Sequence, residues 1–365
     1  MDPCTGADMM NDNSMTAPVK TNLRSITDLV AADLVAAEDR QALEAIAVRY
    51  AVALTPDIAA LIDPNDPDDP IGRQFLPSLS ELDRRPEEDA DPIGDNAHSP
   101  LKGVVHRHVD RVLVKPLHTC PVYCRFCFRR EIVGPDGAGS LTEAELAAAF
   151  AYIAEHGEVF EIIVTGGDPF MLSPRRMAAI SEAAARINHV KVLRWHSRVP
   201  LVDPGRVNAD LIAAAKRFSG SIYVAVHANH PREFTRAGRQ ALARLADSGI
   251  VLLGQTVLLK GINDDATVLG DLMRLFVENR VKPYYLHQGD LAPGTAHFRT
   301  TIAEGQALMR TLRGRLSGIA QPTYVVDLPG GHGKVPVGPT YLTEDGRVVD
   351  LAGRLHPYPP RKPEY

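Results

Sequence analysis

An alternation of continuous apolar runs with helical patterns, between residues 109 and 290, most constrains how this 365-residue chain can fold. The runs include RVLVKP at 111–116, EIIVTGG at 161–167 and SIYVAVHA at 221–228. Continuous apolar strands are typical of parallel sheets that helices cover. About six units, repeated at about 30 residues, predict an α/β fold, and we favour a partial (β/α)6 TIM-like barrel over an open doubly wound sheet. Either fold places its site at the carboxyl ends of the strands, where TGGDP, RWHSR and HQGD lie.

The regions on either side of the repeat have other compositions. Before it, helix formers with an apolar stripe predict an N-terminal helical extension, and a stretch rich in proline, aspartate and glutamate predicts a surface connection. After it, a helix, a strand and the loop PGGHGKVP predict a C-terminal segment. The predicted regions are a disordered N-terminus at 1–20, where Met15 is a second candidate start, a helical region at 21–60 with its connection at 61–100, the barrel at 101–300 and the C-terminal segment at 301–365.

Charge and hydropathy argue against several functional classes. The net charge of −5 gives no support to nucleic-acid binding as the main role. The sequence has no apolar run of about 18 residues, as a transmembrane helix would require. Its first residues lack the basic start and apolar core of a secretion signal. We therefore expect a cytoplasmic protein whose partners include neither nucleic acid nor a membrane.

Three of the four cysteines lie in the loop HTCPVYCRFCFRR, which follows the first predicted strand. Cys120, Cys124 and Cys127 have the spacing Cys-x3-Cys-x2-Cys, and Cys4 is remote from them. Clustered cysteines in a reducing compartment indicate metal binding rather than disulfides. Three thiolates on one loop favour an iron–sulfur cluster with one iron open to a ligand. The alternatives are a zinc site completed by His118 and a group of packing thiols.

The cysteine loop resembles that of the radical S-adenosylmethionine (SAM) superfamily, and the chain from about residue 100 to residue 340 resembles the lysine 2,3-aminomutase family within it. The resemblance implies a reduced [4Fe–4S] cluster on the three cysteines, with SAM bound at the open iron and cleaved to a 5′-deoxyadenosyl radical. Glycines after a strand let a ligand approach the backbone, although a plain turn has the same sequence. The residues that the resemblance assigns to SAM are Gly166, Gly167, Asp168, His227 and Gln255.

Lys334 follows the glycines of PGGHGKVP. A phosphate-binding P-loop would need glycine at 328 and serine or threonine at 335, where the chain has Leu328 and Val335. A lysine here could form a Schiff base with an aldehyde cofactor, or it could be an ordinary surface lysine. The resemblance assigns Lys334 to pyridoxal 5′-phosphate (PLP). It places Arg107 and Arg111 near the phosphate, which arginine recognises well.

Three further residues are assigned to a substrate by the resemblance. Arg129 would pair with a substrate carboxylate, and its neighbour Arg130 is the competing candidate. Asp290 in HQGD and Asp327 before the glycine loop would hold the distal ammonium of lysine, because a cation in a closed site needs compensating charge. From the sequence alone, either aspartate could be a helix cap or a turn residue.

The resemblance therefore implies a PLP- and SAM-dependent radical isomerisation of L-lysine to β-lysine. It further implies a reducing electron donor, such as flavodoxin or ferredoxin, and a homo-oligomer. In some family members the same chemistry serves the β-lysylation of elongation factor P, and both pathways stay open. A hypothesis from another class is a non-catalytic iron–sulfur sensor or electron carrier, which would leave Lys334, Asp290 and Asp327 unexplained.

Overall fold

The structure is a computed structural model that describes residues 19–134 and 139–360. Met15, Cys4 and most of the predicted disordered segment lie outside these ranges. The strands in the described ranges are β1 (Val104–His108), β2 (Arg111–Leu117), β3 (Glu161–Gly166), β4 (Val192–Ser197), β5 (Ser221–His227), β6 (Val251–Val257), β7 (Val281–His287), β8 (Thr323–Leu328), β9 (Gly333–Pro336), β10 (Arg347–Val349) and β11 (Leu355–Pro357).

The α-helices in the same ranges are mostly short outside the barrel. Within the described residues, no helix is both long and apolar enough to cross a membrane. The helices are α1 (Ile26–Ala31), α2 (Arg40–Ala47), α3 (Pro56–Ala59), α4 (Gly72–Phe75), α5 (Glu143–Glu155), α6 (Pro174–Ala185), α7 (Val199–Val202), α8 (Ala209–Ala215), α9 (Arg236–Asp247), α10 (Ala266–Glu278) and α11 (Ile302–Arg315).

Strands β1 to β9 form one sheet, in which each strand pairs with the next one in sequence. Strands β2 to β8 are parallel, and each of the six connections between them contains a helix. The predicted partial (β/α)6 barrel is thus confirmed. The sheet also continues past residue 300, because β8 pairs in parallel with β7 and β9 pairs antiparallel with β8. These two strands complete the barrel wall as well as belonging to the C-terminal segment.

The two edge strands, β1 and β9, do not pair with each other, so hydrogen bonds between strands do not close the barrel. Glycines from the segment before β1 and the loop before β9 meet there. A Cβ added to Gly94 would lie 2.3 Å from the amide nitrogen of Gly331, and both glycines have positive φ angles. No other residue type fits so close a backbone contact. The glycine pair therefore joins the two edges of the barrel directly beside Lys334.

Alternate residues of each strand face opposite sides of the sheet, and this alternation separates core from cavity. In β3, Ile162 and Val164 belong to the main hydrophobic core, which lies between the sheet and the surrounding helices. Ile163 and Thr165 line the inner cavity of the barrel. The covering helices begin at side-chain caps; Thr142, for example, caps α5 by accepting a hydrogen bond from the amide of Glu145.

The region 21–60, predicted to be helical from its helix formers, contains three short helices with irregular segments between them. Helix α1 ends just before Asp33, which has a φ of +54°, and α3 begins at Pro56 after an extended segment in which Leu54 bridges to Leu23. The apolar side chains of these short helices form a second core that packs on Val122 of the cysteine loop. The extension therefore supports the loop from outside the barrel.

The segment 61–100 has little regular structure, as predicted, and several of its side chains reach from the surface into the interior. Gln74, Glu81 and Asp95 from this segment are buried. Gln74 accepts from Arg198 at 2.6 Å, and Glu81 and Asp95 pair with arginines of the cysteine loop. Acidic side chains enter the interior here because buried cations need them as partners.

Candidate active site

Two adjoining cavities open where the parallel strands end. The smaller, of about 130 Å³, lies between the cysteine loop and the ends of β3 to β6, and we name it the cluster cavity. The larger, of about 360 Å³, is lined by residues from all nine strands, and we name it the barrel cavity. The residues that line both are Arg129, Thr165, His196, His227, Gln255 and Val257.

The three cysteines of the loop after β2 are free thiols that surround a small space. Cys120 and Cys124 also line the cluster cavity. Within residues 19–134 and 139–360, no three His, Cys, Asp or Glu side chains converge on a position for one metal ion. Thiols around a space fit a cluster, which offers a separate iron to each thiolate. The zinc alternative with His118 gains no support from this geometry.

The thiols lie in surroundings that favour their neutral form unless a cation is bound. Burial raises the pKa of Cys120 and Cys124, and it raises that of Cys127 to about 11. At Cys124 the Arg198 guanidinium opposes this effect, because its Nη1 donates to Sγ at 3.2 Å. The other terminal nitrogen of Arg198 is held by Glu233 Oε2 at 2.7 Å. Bound iron would supply the positive charge that three thiolates require.

Gly166 and Gly167 end β3 against the backbone of the cysteine loop. A Cβ on Gly167 would lie 2.4 Å from the Thr119 carbonyl oxygen, and one on Gly166 would lie 2.6 Å from that of Leu117. The amide of Gly167 donates to the Leu117 carbonyl at 2.7 Å. Glycine is therefore needed here to let the loop pack on β3. Both glycines also line the cluster cavity, so their contact with SAM stays a prediction.

The carboxylate of Asp168 is already occupied by the protein. It accepts the Ser197 hydroxyl at 2.8 Å and the amides of Arg198 at 2.7 Å and Phe170 at 3.0 Å. These bonds tie the end of β3 to the start of the turn after β4. Any contact of Asp168 with SAM is thus expected through the backbone rather than through the carboxylate.

Glu81, Arg125 and Arg130 form a buried charged group behind the cysteine loop, which we name the brace. Both oxygens of Glu81 accept from Arg125, at 2.9 Å from its Nε, and one also accepts from Arg130. Arg130 further donates to the carbonyls of Arg125 at 2.8 Å and Gly294 at 3.1 Å. Arg130, the competing candidate for a substrate carboxylate, is therefore engaged, and Arg129 is the arginine that faces the cavities.

His227 and His196 lie side by side at the junction of the cavities. Nε2 of His227 is 3.4 Å from Nδ1 of His196, and the rings are perpendicular. Burial lowers the pKa of His227 to about 3 and that of His196 well below its usual value, so both rings are neutral at physiological pH. Gln255 is the β6 residue paired with His227. Together they offer uncharged donors and acceptors to a cofactor.

Cations gather around Asp95 on one wall of the barrel cavity. Its carboxylate accepts from Arg107 at 3.0 Å and Arg129 at 3.3 Å, with Lys115 Nζ at 3.7 Å. Burial raises the pKa of Asp95, but the three cations outweigh burial and hold it below its usual value. The Nε atoms of both arginines are buried without a partner in the described residues. With Arg111 on the same wall, these donors fit phosphate and carboxylate groups.

Lys334 on β9 reaches into the barrel cavity and contacts two residues there. Its Nζ forms an ion pair with Asp327 Oδ2 and lies 3.2 Å from His287 Nδ1. The same Asp327 oxygen is 3.3 Å from His287 Nδ1. Burial raises the pKa of Asp327, but the His287 and Lys334 contacts outweigh burial and hold it well below its usual value. Asp327 is thus an anion that already holds an alkylammonium group.

Asp290, in the loop after β7, lines the same cavity and differs from Asp327 in lacking a cation. Among the described residues, no side-chain donor bonds to its carboxyl group. Burial, and then the negative charge of Asp327, raises the pKa of Asp290 to about 7. A carboxyl group with such a pKa takes a positive ligand readily, because the ligand offsets the cost of its charge.

The structure brings the predicted site residues to the lining of these two cavities, except Cys127, which lies around the small space that the three thiols share. Five further residues, which the sequence analysis did not assign, line the cavities or hold the cysteine loop. His196, Arg198 and His287 belong to RWHSR and HQGD, so their position at strand ends was a usable signal. Glu81 and Asp95 lie among many acidic residues in an irregular segment, where no pattern marks them.

Comparisons with known proteins agree with this geometry. Residues 114–270 match the family model described as radical SAM superfamily, and residues 309–349 match the one described as lysine-2,3-aminomutase. A putative L-lysine 2,3-aminomutase from Aquifex aeolicus is 39% identical, over 84% of this chain and 82% of the relative. L-lysine 2,3-aminomutase from Clostridium subterminale is 38% identical, over 80% and 70%. Glutamate 2,3-aminomutase from Clostridioides difficile is 34% identical, over 85% and 72%.

The barrel and its cysteine loop thus define a radical SAM enzyme. The chain belongs to the lysine 2,3-aminomutase family, because relatives with that name are 38–39% identical to it over at least 80% of its length. It is an isomerase of the radical SAM aminomutase class, and the predicted cofactors, a [4Fe–4S] cluster, SAM and PLP, are confirmed. The binding role of each residue stays a prediction.

Proposed function

We propose that this protein isomerises L-lysine to β-lysine by a 2,3-shift of the amino group. The observation that carries the proposal is the ammonium of Lys334 against Asp327, with Asp290 beside it and free of a cation among the described residues. A terminal alkylammonium is the group that distinguishes lysine from glutamate. The cavity therefore offers a site for the group that a lysine mutase must recognise.

Lys334 is proposed to hold PLP, with Arg107 and Arg111 as donors to its phosphate. Both arginines line the cavity that Lys334 enters. Once Lys334 is bonded to PLP, its ammonium no longer occupies Asp327, and that carboxylate is free for the substrate. Asp290 then adds a second carboxylate, so the incoming cation is balanced in a closed site.

The arrangement of charges would orient lysine along the cavities. Arg129, at the junction, would hold the α-carboxylate, while the two aspartates hold the ammonium. When bound, the reduced cluster and SAM supply the radical that removes a hydrogen atom, and PLP supplies the π-system on which nitrogen migrates. The chain contributes fixed positions and the exclusion of water.

We further propose that a reducing protein such as flavodoxin or ferredoxin supplies the electron, and that the enzyme is a homo-oligomer. Four large apolar side chains on or near β10 and β11 are exposed, and an interface between subunits would cover them. They are Leu342, Leu351, Leu355 and Tyr358.

An anaerobic assay with dithionite, SAM, PLP and L-lysine tests the proposed function. We expect β-lysine from the wild-type protein and none above background from Lys334→Ala. Lys260→Ala removes an exposed lysine outside the cavities and should retain wild-type activity. Product from L-glutamate but not from L-lysine would contradict the substrate, and equal activity in Lys334→Ala would contradict the role of Lys334.

A further inference from the structure

His287 ends β7 directly against the amine of Lys334, and none of the roles described above uses it. We propose that His287 is the base that takes a proton from Lys334 Nζ, and returns it, each time the bond between this lysine and PLP forms or breaks. The inference rests on the proposed function, because it takes Lys334 as the PLP-binding lysine. An ammonium has no lone pair, so Lys334 must lose a proton before it can attack an aldehyde carbon.

Both the imidazole of His287 and the carboxylate of Asp327 contact the side-chain amine of Lys334. Lys334 Nζ lies 3.2 Å from His287 Nδ1, within the range of about 2.6–3.2 Å that proton transfer requires. His287 Nδ1 is in turn 3.3 Å from Asp327 Oδ2. The side chains of His287 and Asp327 are each only 10% exposed, so water competes little for these contacts.

The proton can move between the three groups without creating an unpaired charge. Before transfer, Lys334 is the cation, Asp327 is the anion and His287 is neutral with its one ring proton on Nε2, so that Nδ1 has the lone pair that accepts. In the transfer, the Nζ–H bond breaks, the Nδ1–H bond forms and the electron pair stays on the lysine nitrogen. Afterwards the imidazolium faces the Asp327 carboxylate. A buried site tolerates this exchange because one ion pair replaces another.

His287 suits the role better than the carboxylate beside it. Burial, and then the charge of Lys334, lowers the pKa of His287, which favours the neutral ring with a lone pair to accept a proton. The lowered pKa also weakens the ring as a base, but an imidazole starts from a reference pKa of about 6.5, against about 3.9 for an aspartate. The pKa of Asp327 lies well below its usual value, which makes that carboxylate a poor base. Further titratable groups interact with Lys334, His287 or Asp327 from the other walls of the cavity, and they include Asp290, Tyr285, His108, His196 and His227.

The test measures PLP capture by the full-length, cluster-loaded protein freed of PLP, between pH 6 and pH 9. Visible absorbance gives the rate, and borohydride reduction followed by mass spectrometry shows whether PLP is attached to Lys334. His287→Asn keeps a hydrogen-bonding group near the Nδ1 position but cannot take up a proton. We expect it to slow capture about 100-fold at pH 7, with a smaller deficit at pH 9 where hydroxide can act. His332→Asn replaces an exposed histidine on the glycine loop that precedes Lys334. It is the matched control and should capture PLP at the wild-type rate.

A second variant, His287→Ala, separates proton transfer from support of the loop. Added imidazole should speed its capture of PLP at least tenfold. A wild-type rate in His287→Asn, or slow capture that neither imidazole nor pH alters, would overturn the proposal. Failure of wild-type protein to attach PLP at Lys334 would overturn the proposed function itself. Labelling of Lys334 in the wild type therefore distinguishes the two failures.

Discussion

The brace and the charged residues around Lys334 are both buried, but they differ in how completely their charges are paired. In the brace, Glu81 meets two arginines, and its two oxygens are fully used. In the barrel cavity, Asp327 has a cation whereas Asp290 has none in the described residues. Burial alone therefore does not separate charges that hold the fold from charges that await a ligand. A buried carboxyl group that faces a cavity and has no cation beside it, such as Asp290, marks a charge that can bind a ligand.

The largest effect that tests this contrast is expected in the brace. Glu81→Gln would leave two buried arginines without their carboxylate, and we expect the free energy of unfolding to fall by about 3–5 kcal/mol. Chemical denaturation of the cluster-free protein measures it. Glu44→Gln is the control, because Glu44 pairs with Arg40 on the surface, and its loss should cost less than about 0.5 kcal/mol. Equal losses of the free energy of unfolding in the two variants would contradict the structural role of the brace.

In the barrel cavity, by contrast, we expect that replacing Asp290 raises the free energy of unfolding. The folded pKa of Asp290 is raised to about 7, above its unfolded value, so folded protein holds a proton that unfolded protein has released. Stability is therefore lost as the pH rises from about 4 to about 7. At pH 8, Asp290→Asn should raise the free energy of unfolding by about 2–4 kcal/mol, and near pH 4 it should change little.

Unfolding curves at pH 4 and pH 8 measure this prediction. Asp68→Asn is the matched control, since the Asp68 side chain is 84% exposed, and it should show no such pH dependence. If Asp290→Asn destabilised the protein at pH 8, the Asp290 carboxylate would have a stabilising partner. This result would contradict its description as an unpaired buried group.

The smallest effect should come from Asp95, which lines the cavity but is paired. Three cations hold its pKa below the usual value, so its contribution is present above about pH 4 and is lost as the pH falls further. Asp95→Asn should lower the free energy of unfolding at pH 7 by about 2 kcal/mol, and less at pH 3. Denaturation at both pH values checks this. If Asp95→Asn stabilised the protein at pH 7, pairing with cations would not decide whether loss of a buried carboxylate raises or lowers the free energy of unfolding.

The sequence predicted those parts of the fold that follow a regular period. Apolar runs such as EIIVTGG identified the parallel strands because both faces of these strands are buried. The cysteine spacing identified the cluster loop because all three ligands are local in sequence. The region 21–60 was predicted less well, because its helix formers do not reveal the interruptions at Asp33 and Pro56.

Site residues whose partners are distant in sequence could not be predicted in the same way. Asp95 is recognised only by the arginines that meet it on β1 and the cysteine loop. His287 was visible as a polar strand end, but its contact with Lys334 joins β7 to β9 and follows only from the folded sheet. The roles of such charged residues depend on tertiary contacts, and a local sequence pattern does not predict these contacts.

The contact between Gly94 and Gly331 has a consequence for the order of folding. It closes a loop that contains nearly the whole barrel, and the entropy of closing a loop increases with its length. Contacts between distant residues form slowly for the same reason. The cysteine loop, by contrast, contacts Glu81, Gly167 and Arg198, which all precede Gly331 in the chain by more than about 100 residues. During synthesis from the N-terminus, the chain would therefore hold its thiols in position well before it could hold Lys334.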